Sequence, residues 1–79
     1  MELLDNLDKV HTTEMGVDRI KRNIEVDVED IVGYCISKIK QENAVIERKG
    51  KNYYVNVDGI IITVNASSYT IITAHKEKR

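Results

Sequence analysis

A small set of side chains in this sequence could carry acid–base chemistry: His75, Lys49 and Thr70, with His11 as a further candidate. Cleavage of a phosphodiester without a metal needs a proton acceptor, a proton donor and a cation near the phosphate, and these residue types can fill those roles. Two of them also have a simpler interpretation. His75 stands where the last predicted strand ends, and His11 precedes Thr12-Thr13, which is typical of a segment that caps a helix.

A second set of residues indicates binding rather than catalysis. Tyr54 could stack on a nucleic-acid base. The basic segment 48–51 could hold a phosphate, although a charged hairpin end is the commoner case. The candidate binding residues are Glu47, Tyr54, Thr63, Asn65, Arg48, Lys51 and His11.

The sequence predicts no metal site and no cofactor. Its two histidines lie far apart, and its single cysteine, Cys35, belongs to an apolar stripe, so no Cys/His pair has zinc-ligand spacing. We therefore interpret Cys35 as a small core residue rather than a nucleophile. One cysteine also excludes an internal disulfide.

These side chains need a sheet to position them, and residues 44–76 read as four strands separated by turn signals. Asp58-Gly59 predicts a two-residue type I′ hairpin, because both residue types tolerate positive φ. The hairpin fixes which residues share the core face. The predicted pairs are Val57 with Ile60, Val55 with Ile62, and Tyr53 with Val64.

The register of the last strand decides which side chains meet on the open face. Two-residue loops at both outer hairpins predict two polar rows across the sheet: Glu47, Tyr54, Thr63 and Thr70, and beside them Lys49, Asn52, Asn65 and Ser68. They also place Ile72 and Ala74 on the open face and His75 on the opposite one. A three-residue final loop would instead bring Tyr69, Ile71, Thr73 and His75 to the open face.

The N-terminal half reads as two to three helices that pack on the core face of the sheet. A short amphipathic helix covers residues 2–10, and a second follows Thr12 or Thr13 and ends near Ile24. Gly16 either closes the first helix or lies in the first turn of the second. Asp27 and Asp30 resemble a capping box for a third helix over residues 28–41. Its apolar stripe is Val28, Ile31, Val32, Cys35, Ile36 and Ile39.

Length and composition indicate one α+β domain spanning residues 1–79, with a helical part over 2–41 and a sheet over 44–76. No apolar run has the length of a membrane span and no signal peptide opens the chain, so we expect a cytoplasmic protein. The net charge of −1 conceals an asymmetry, since residues 1–43 carry −4 and residues 44–79 carry +3. A polyanionic partner would meet the sheet half, although solvated surface lysines explain the same charges.

Three segments of the chain form recognisable blocks: residues 11–23 (HTTEMGVDRIKRN), 48–58 (RKGKNYYVNVD) and 62–76 (ITVNASSYTIITAHK). Together they resemble a small bacterial family of domains of unknown function, number 3781. Helices followed by a four-stranded meander are also similar to the barnase–EndoU–colicin–RelE-like group of ribonucleases and toxins. That similarity implies a site on the open sheet face formed by His75, Lys49 and Thr70, joined by His11.

Two functions remain open on this basis. The first is a binding module that contacts a protein or RNA partner through the exposed sheet face, with Ile61 and Ile72 as a patch that could also form a homodimer. The second is a metal-independent, ribonuclease-like enzyme. We expect the binding module, because the catalytic candidates are not predicted to converge.

Overall fold

The computed structural model describes residues 2–77 as three α-helices followed by a four-stranded antiparallel sheet, which confirms the predicted α+β fold. The helices are α1 (Glu2–Asp5), α2 (Glu14–Ile24) and α3 (Ile31–Ile39), with a 3-10 turn at Leu7–Lys9. The strands are β1 (Val45–Lys49), β2 (Asn52–Val57), β3 (Ile60–Asn65) and β4 (Ile71–Lys76), in the order β1-β2-β3-β4. Within residues 2–77, no helix has the length and apolar character needed to cross a bilayer.

The helix predicted over residues 2–10 is interrupted at Asn6, which leaves helical geometry at φ −128° and ψ 28°. Asn favours such turns because its side chain competes for backbone hydrogen bonds. Two short turns result, and they still bury Leu3 and Val10. The backbone of Val10 is extended, so the chain after the 3-10 turn continues alongside the sheet.

Helix α2 begins at Thr13, whose hydroxyl accepts a hydrogen bond from the Gly16 amide at 3.0 Å. Two questions that the sequence leaves open are thereby decided. Thr13 rather than Thr12 caps the helix, and Gly16 lies in its first turn rather than at the end of the preceding helix. A side chain at Gly16 would force the Thr12 hydroxyl to move, since its Cβ would overlap that oxygen. The helix buries Ile20 and ends at Glu25, which adopts left-handed geometry with φ 56°.

Helix α3 begins three residues later than predicted. Asp30 rather than Asp27 is its cap, and the Asp30 carboxylate accepts from the Gly33 amide at 2.9 Å. Val28 therefore precedes the helix instead of opening it. The predicted stripe is otherwise present: Ile31, Cys35 and Ile39 are buried, and Val32 and Ile36 pack against the core.

The first two hairpins follow the turn chemistry of the sequence. Asp58 and Gly59 have φ of 49° and 78°, and Val57, Val55 and Tyr53 pair with the predicted partners on β3. Gly50 has φ 57°, so Gly50-Lys51 closes the first hairpin with Lys49 opposite Asn52. Glycine at the first turn position is the usual requirement for this tight connection.

The last hairpin contradicts the favoured register. Its loop has four residues, Ala66 to Tyr69, and Tyr69 closes it in left-handed geometry with φ 59°. The Asn65 amide then bonds the Thr70 carbonyl at 2.8 Å, so Thr70 rather than Ser68 stands opposite Asn65.

A bulge further along the same pair of strands causes a second change. Val64 pairs with Ile71 and Thr63 pairs with Thr73, which leaves Ile72 as the extra residue. Ala74 is consequently buried in the core, and Thr73 and His75 face the open side. The predictions that Ala74 would be on the open face and His75 on the core face are wrong. The alternative with a longer loop predicted Thr73 and His75 correctly but misplaced Ile71, which is buried.

One core joins the helices to a single face of the sheet. It consists of Leu3, Val10, Ile20, Ile24, Ile31, Cys35, Ile39, Tyr53, Val55, Val57, Ile60, Ile62, Val64, Ile71 and Ala74. Helix α2 packs along β4, and α3 contacts β2. Because all helices are on one side, the other face of the sheet remains open.

Candidate functional site

At the end of the sheet formed by the β1–β2 and β3–β4 loops, five side chains align across the open face. Lys49 pairs with Asn52, Asn52 pairs with Asn65, and Asn65 is bonded to Thr70. A parallel bridge then joins Thr70 to His11. We call Lys49, Asn52, Asn65, Thr70 and His11 the polar row. Four strand spacings of about 4.8 Å give it a span of about 19 Å.

His11 is part of the sheet, although the sequence places it in a loop. Its amide donates to the Tyr69 carbonyl at 3.1 Å, and its carbonyl accepts from the Ile71 amide at 2.7 Å. The Thr12 hydroxyl adds a bond to the Ile71 carbonyl at 3.0 Å. This segment therefore covers the outer edge of β4, and the sheet rather than a free loop sets the position of the imidazole.

The imidazole of His11 has a defined hydrogen-bonding pattern. Its Nδ1 lies 2.8 Å from the Lys9 carbonyl oxygen and its Nε2 lies 3.2 Å from the Thr70 hydroxyl. A carbonyl oxygen only accepts, so Nδ1 carries the proton. In the neutral ring, Nε2 is then the acceptor and Thr70 donates to it. The order carbonyl, imidazole, hydroxyl is the arrangement in which an oriented base activates a hydroxyl.

Two neighbouring side chains extend this network along the loop. The Ser68 hydroxyl lies 2.8 Å from that of Thr70 and 3.2 Å from Asn65 Oδ1. Asn65 Oδ1 also accepts from the Ser67 and Ser68 amides, each at 2.9 Å. Asn65 is therefore the residue that holds the loop closed, since asparagine can bond the backbone two and three residues ahead.

Asn52 and Tyr54 connect the polar row to the middle of the open face. Asn52 Nδ2 donates to the Tyr54 hydroxyl at 3.4 Å. Asn52 Oδ1 is buried and has no hydrogen-bond partner within residues 2–77. Leaving a buried carbonyl oxygen unpaired costs about 1–3 kcal/mol. Stability alone does not account for an asparagine at this position.

The predicted catalytic set does not converge. Lys49 and Thr70 lie in the polar row, but His75 pairs with Ile61 at the opposite end of the sheet. On β3, Ile61 and Asn65 are four residues apart, which separates His75 from the polar row by about 13 Å along the strands. His75 lies on the open face, yet it is too distant to act with the other two.

The predicted binding residues divide between the two faces. Glu47, Tyr54 and Thr63 form the second row, with Thr73 in the place predicted for Thr70, and Thr63 is buried. Arg48 faces the core side, where its guanidinium lies 5.4 Å from the Tyr53 ring centroid. Arg48 therefore lies on the face opposite the polar row, and its part in holding a phosphate stays a prediction. Lys51 lies at the hairpin tip, and its carbonyl accepts from the Ala66 amide at 2.7 Å, so the two loops adjoin.

The apolar patch predicted from Ile61 and Ile72 is not assembled as expected. Ile61 is flanked by Asn56 and His75, and Ile72 projects from the bulge of β4. Ile72 is 40% exposed. The two isoleucines therefore do not occupy neighbouring positions in one row.

Sequence reasoning placed Asn52 and Ser68 in a polar row of the open face, but it did not name them, or Thr12, among the candidate functional residues. Asn65 followed three residues later by Ser68 is a local signal for a side-chain-capped turn and could have identified Ser68. Thr12 joins only through its bond to Ile71, 59 residues away, and leaves no local pattern.

Cys35 is not a reactive group in this fold. It is fully buried, and burial raises the pKa of its thiol to about 11. The thiolate is the nucleophilic form, so a raised pKa makes the side chain inert near neutral pH. Within residues 2–77, no three His, Cys, Asp or Glu side chains gather closely enough to hold a metal ion.

Comparisons with known proteins give one match. A family model described as "Protein of unknown function (DUF3781)" matches residues 4–75. No curated protein and no solved structure matches the chain. These comparisons return no match to the ribonuclease and toxin group that the chain resembles in its order of helices and strands.

Proposed function

Because the chain belongs to the DUF3781 family, whose function is unknown, we propose its function from the geometry of the open face: it binds single-stranded RNA across the polar row. The observation that carries this proposal is the alignment of Lys49, Asn52, Asn65, Thr70 and His11 on adjacent segments of chain. Amides, hydroxyls and an imidazole offer donors and acceptors suited to base edges and to the ribose 2′-hydroxyl.

Tyr54 adds a surface on which a base can stack. It is half-buried in the second row, directly beside the polar row. RNA is usually recognised in single strands, whose unpaired bases stack on aromatic rings and expose their polar edges. Stacking is worth about 1–3 kcal/mol per base, so one tyrosine contributes substantially to a small interface.

Charge supports an anionic partner at this end of the sheet. Lys51 has no ion-pair partner within residues 2–77, and Lys49 reaches only Glu47, at 3.7 Å. Residues 44–79 as a whole carry a net charge of +3. Lys51, together with Lys49 in its long contact to Glu47, is suited to bind the phosphates that follow the bound bases.

Fluorescence anisotropy with a labelled, unstructured RNA of eight nucleotides tests the proposal, in chelator and at low salt. Tyr54→Ala removes the stacking surface, and we expect binding to weaken about 5- to 150-fold. Tyr54→Phe is the matched control. It keeps the ring and loses only the hydroxyl that contacts Asn52, so it should retain most of the affinity.

Two outcomes would overturn the proposal. The first is no binding by wild type at protein concentrations up to about 0.1 mM, the upper range even for non-specific nucleic-acid binding. The second is equal affinity for wild type and Tyr54→Ala, with both folded by circular dichroism. Capture of a protein partner by the same face would then become the working hypothesis.

A further inference from the structure

Hydrogen bonds hold both the backbone and the imidazole ring of His11, although its side chain is exposed. Both of its backbone groups bond to β4, at 3.1 and 2.7 Å, and its Nδ1 is fixed by the Lys9 carbonyl. The remaining ring nitrogen, Nε2, points to Thr70 on the open face. The side chain itself is exposed, so a bound ligand can reach it.

The contacts of His11 set its tautomer as well as its orientation. With the proton on Nδ1, neutral His11 presents an unprotonated Nε2 to whatever hydroxyl lies next to it. In the free protein that hydroxyl belongs to Thr70, at 3.2 Å, within the distance over which an oriented base takes a proton. The Thr70 hydroxyl also contacts the Ser68 hydroxyl at 2.8 Å. If a ligand hydroxyl replaces Thr70 beside His11 Nε2, the Thr70 hydroxyl therefore still has a hydrogen-bond partner.

We propose that His11 Nε2 is the general base of a metal-independent transesterification that cleaves RNA bound on the polar row. This inference rests on the proposed RNA binding, and it adds a reaction at one end of the same surface. The hydroxyl that His11 activates is the ribose 2′-hydroxyl, which occupies the position beside Nε2 that Thr70 fills in the free protein.

The reaction balances without any further reagent. His11 Nε2 takes the proton of the 2′-hydroxyl, and the 2′-oxygen forms a bond to the adjacent phosphorus. The bond from phosphorus to the 5′-oxygen breaks, and the 5′-oxygen takes a proton from water. His11 then returns its proton to solvent. The products are a 2′,3′-cyclic phosphate and a 5′-hydroxyl, and DNA is not cleaved because it lacks the nucleophile.

Thr70 and Ser68 contact the substrate directly in this account. Their hydroxyls lie beside the reacting atoms and can donate to the phosphate as negative charge develops on it. Lys49 stands at the other end of the polar row, about 19 Å from His11, and so contacts a different phosphate of the same strand.

The test uses an oligodeoxynucleotide that contains a single ribonucleotide, incubated with the full chain in chelator. Wild type should cut at the ribonucleotide only, and mass spectrometry should find the cyclic phosphate. His11→Ala should lose about 100-fold or more of the rate, the usual contribution of a positioned base. His75→Ala is the matched control, since it removes the other histidine of the open face and should cleave like wild type.

A further readout separates a base from a structural residue. Added imidazole should restore part of the rate to His11→Ala, which no purely structural role would allow. Thermal unfolding monitors whether His11→Ala is folded.

Binding is measured separately, with an all-DNA copy and a 2′-O-methyl RNA of the same sequence, neither of which can react. RNA binding without cleavage, or cleavage that survives His11→Ala, overturns the catalytic role and leaves the binding function standing. Loss of cleavage in His75→Ala but not in His11→Ala also overturns it. Failure of wild type to bind both the 2′-O-methyl RNA and the unmodified RNA of eight nucleotides overturns both proposals.

Discussion

The two ends of the sheet differ in how their charges are balanced. At the end that contains the Asp58-Gly59 turn, Lys38 bonds Asp58 at 2.7 Å and Lys76 bonds Glu25 at 2.5 Å. At the end that contains the polar row, Lys49 contacts Glu47 only at 3.7 Å, and Lys51 has no ion-pair partner within residues 2–77. One end uses its charges to tie helices to the sheet, and the other leaves lysines available to a ligand.

The ion pairs at the Asp58 end also lower the pKa values of their carboxylates. The hydrogen bond from Lys38 holds the pKa of Asp58 below its usual value, and the hydrogen bond from Lys76 does the same for Glu25. The Asp58 turn also binds Asn43, at 2.8 Å, so the turn is anchored to the segment before β1. The end with the short ion pairs therefore serves the fold, and we propose that the end with the available lysines binds the ligand.

Among the changes that compare the two ends of the sheet, the largest effect is expected from reversing charge at the polar-row end. Lys49→Glu combined with Lys51→Glu should weaken RNA binding about tenfold or more and reduce the salt dependence of the affinity by about 1.4 logarithmic units per decade of salt. Lys40→Glu combined with Arg22→Glu changes the net charge equally on the helices. If this control weakens binding as much, net charge rather than the polar row drives the interaction.

A smaller effect is expected on stability, and it compares two asparagines of the open face. Asn65→Ala removes the oxygen that closes the last loop and should destabilise the protein by about 1–2 kcal/mol, which lowers Tm by about 4–8 °C per kcal/mol. Asn56 lies toward the opposite end and has no side-chain hydrogen bond within residues 2–77. Asn56→Ala should change stability by less than about 0.5 kcal/mol. Equal losses in thermal unfolding would contradict the role of Asn65.

The smallest effect concerns the ion pair at the other end. The pKa of Asp58 is lowered in the folded protein, so its contribution to stability is present above its unfolded pKa of about 3.9 and is lost as pH falls through the folded value. The pKa of its partner Lys38 is raised by the same hydrogen bond. Asp58→Asn keeps the turn, because Asn-Gly also adopts type I′ geometry.

Chemical denaturation across pH measures this difference. Asp58→Asn should be slightly less stable than wild type near pH 7, and the difference should disappear as the pH falls through the folded-state pKa of Asp58, which lies below its usual value. RNA affinity should be the same in both. A loss of RNA binding in Asp58→Asn would mean that the two ends are not functionally separate.

The sequence predicted those parts of the fold that local chemistry determines. Asp58-Gly59 and Gly50 select tight turns, and these turns fix every pair between β1, β2 and β3. The last strand has no such signal. Tyr69 adopts left-handed geometry without being glycine or asparagine, and nothing in Ile71-Ile72 marks the bulge. The register of β4 was therefore predicted incorrectly, and with it the face of His75.

The candidate site was predicted as a set of residue types but not as an arrangement. His11 and Thr70 were both named, yet their contact joins residues 59 positions apart and depends on a single parallel bridge. No periodicity or turn motif reports such a pairing. His75 attracted the catalytic prediction because it stands at a strand end, whereas the folded chain brings the other histidine to the hydroxyls.

The most direct test of the central claim is to map RNA contacts by NMR. A titration of the ¹⁵N-labelled protein with 2′-O-methyl RNA should shift the amide resonances of Lys49, Lys51, Asn52, Asn65 and Thr70 and the imidazole of His11, and leave those of Asp58, Gly59 and Lys76 unchanged. Shifts centred on the Asp58 end, or spread evenly over both ends of the sheet, would contradict the assignment of function to the polar row.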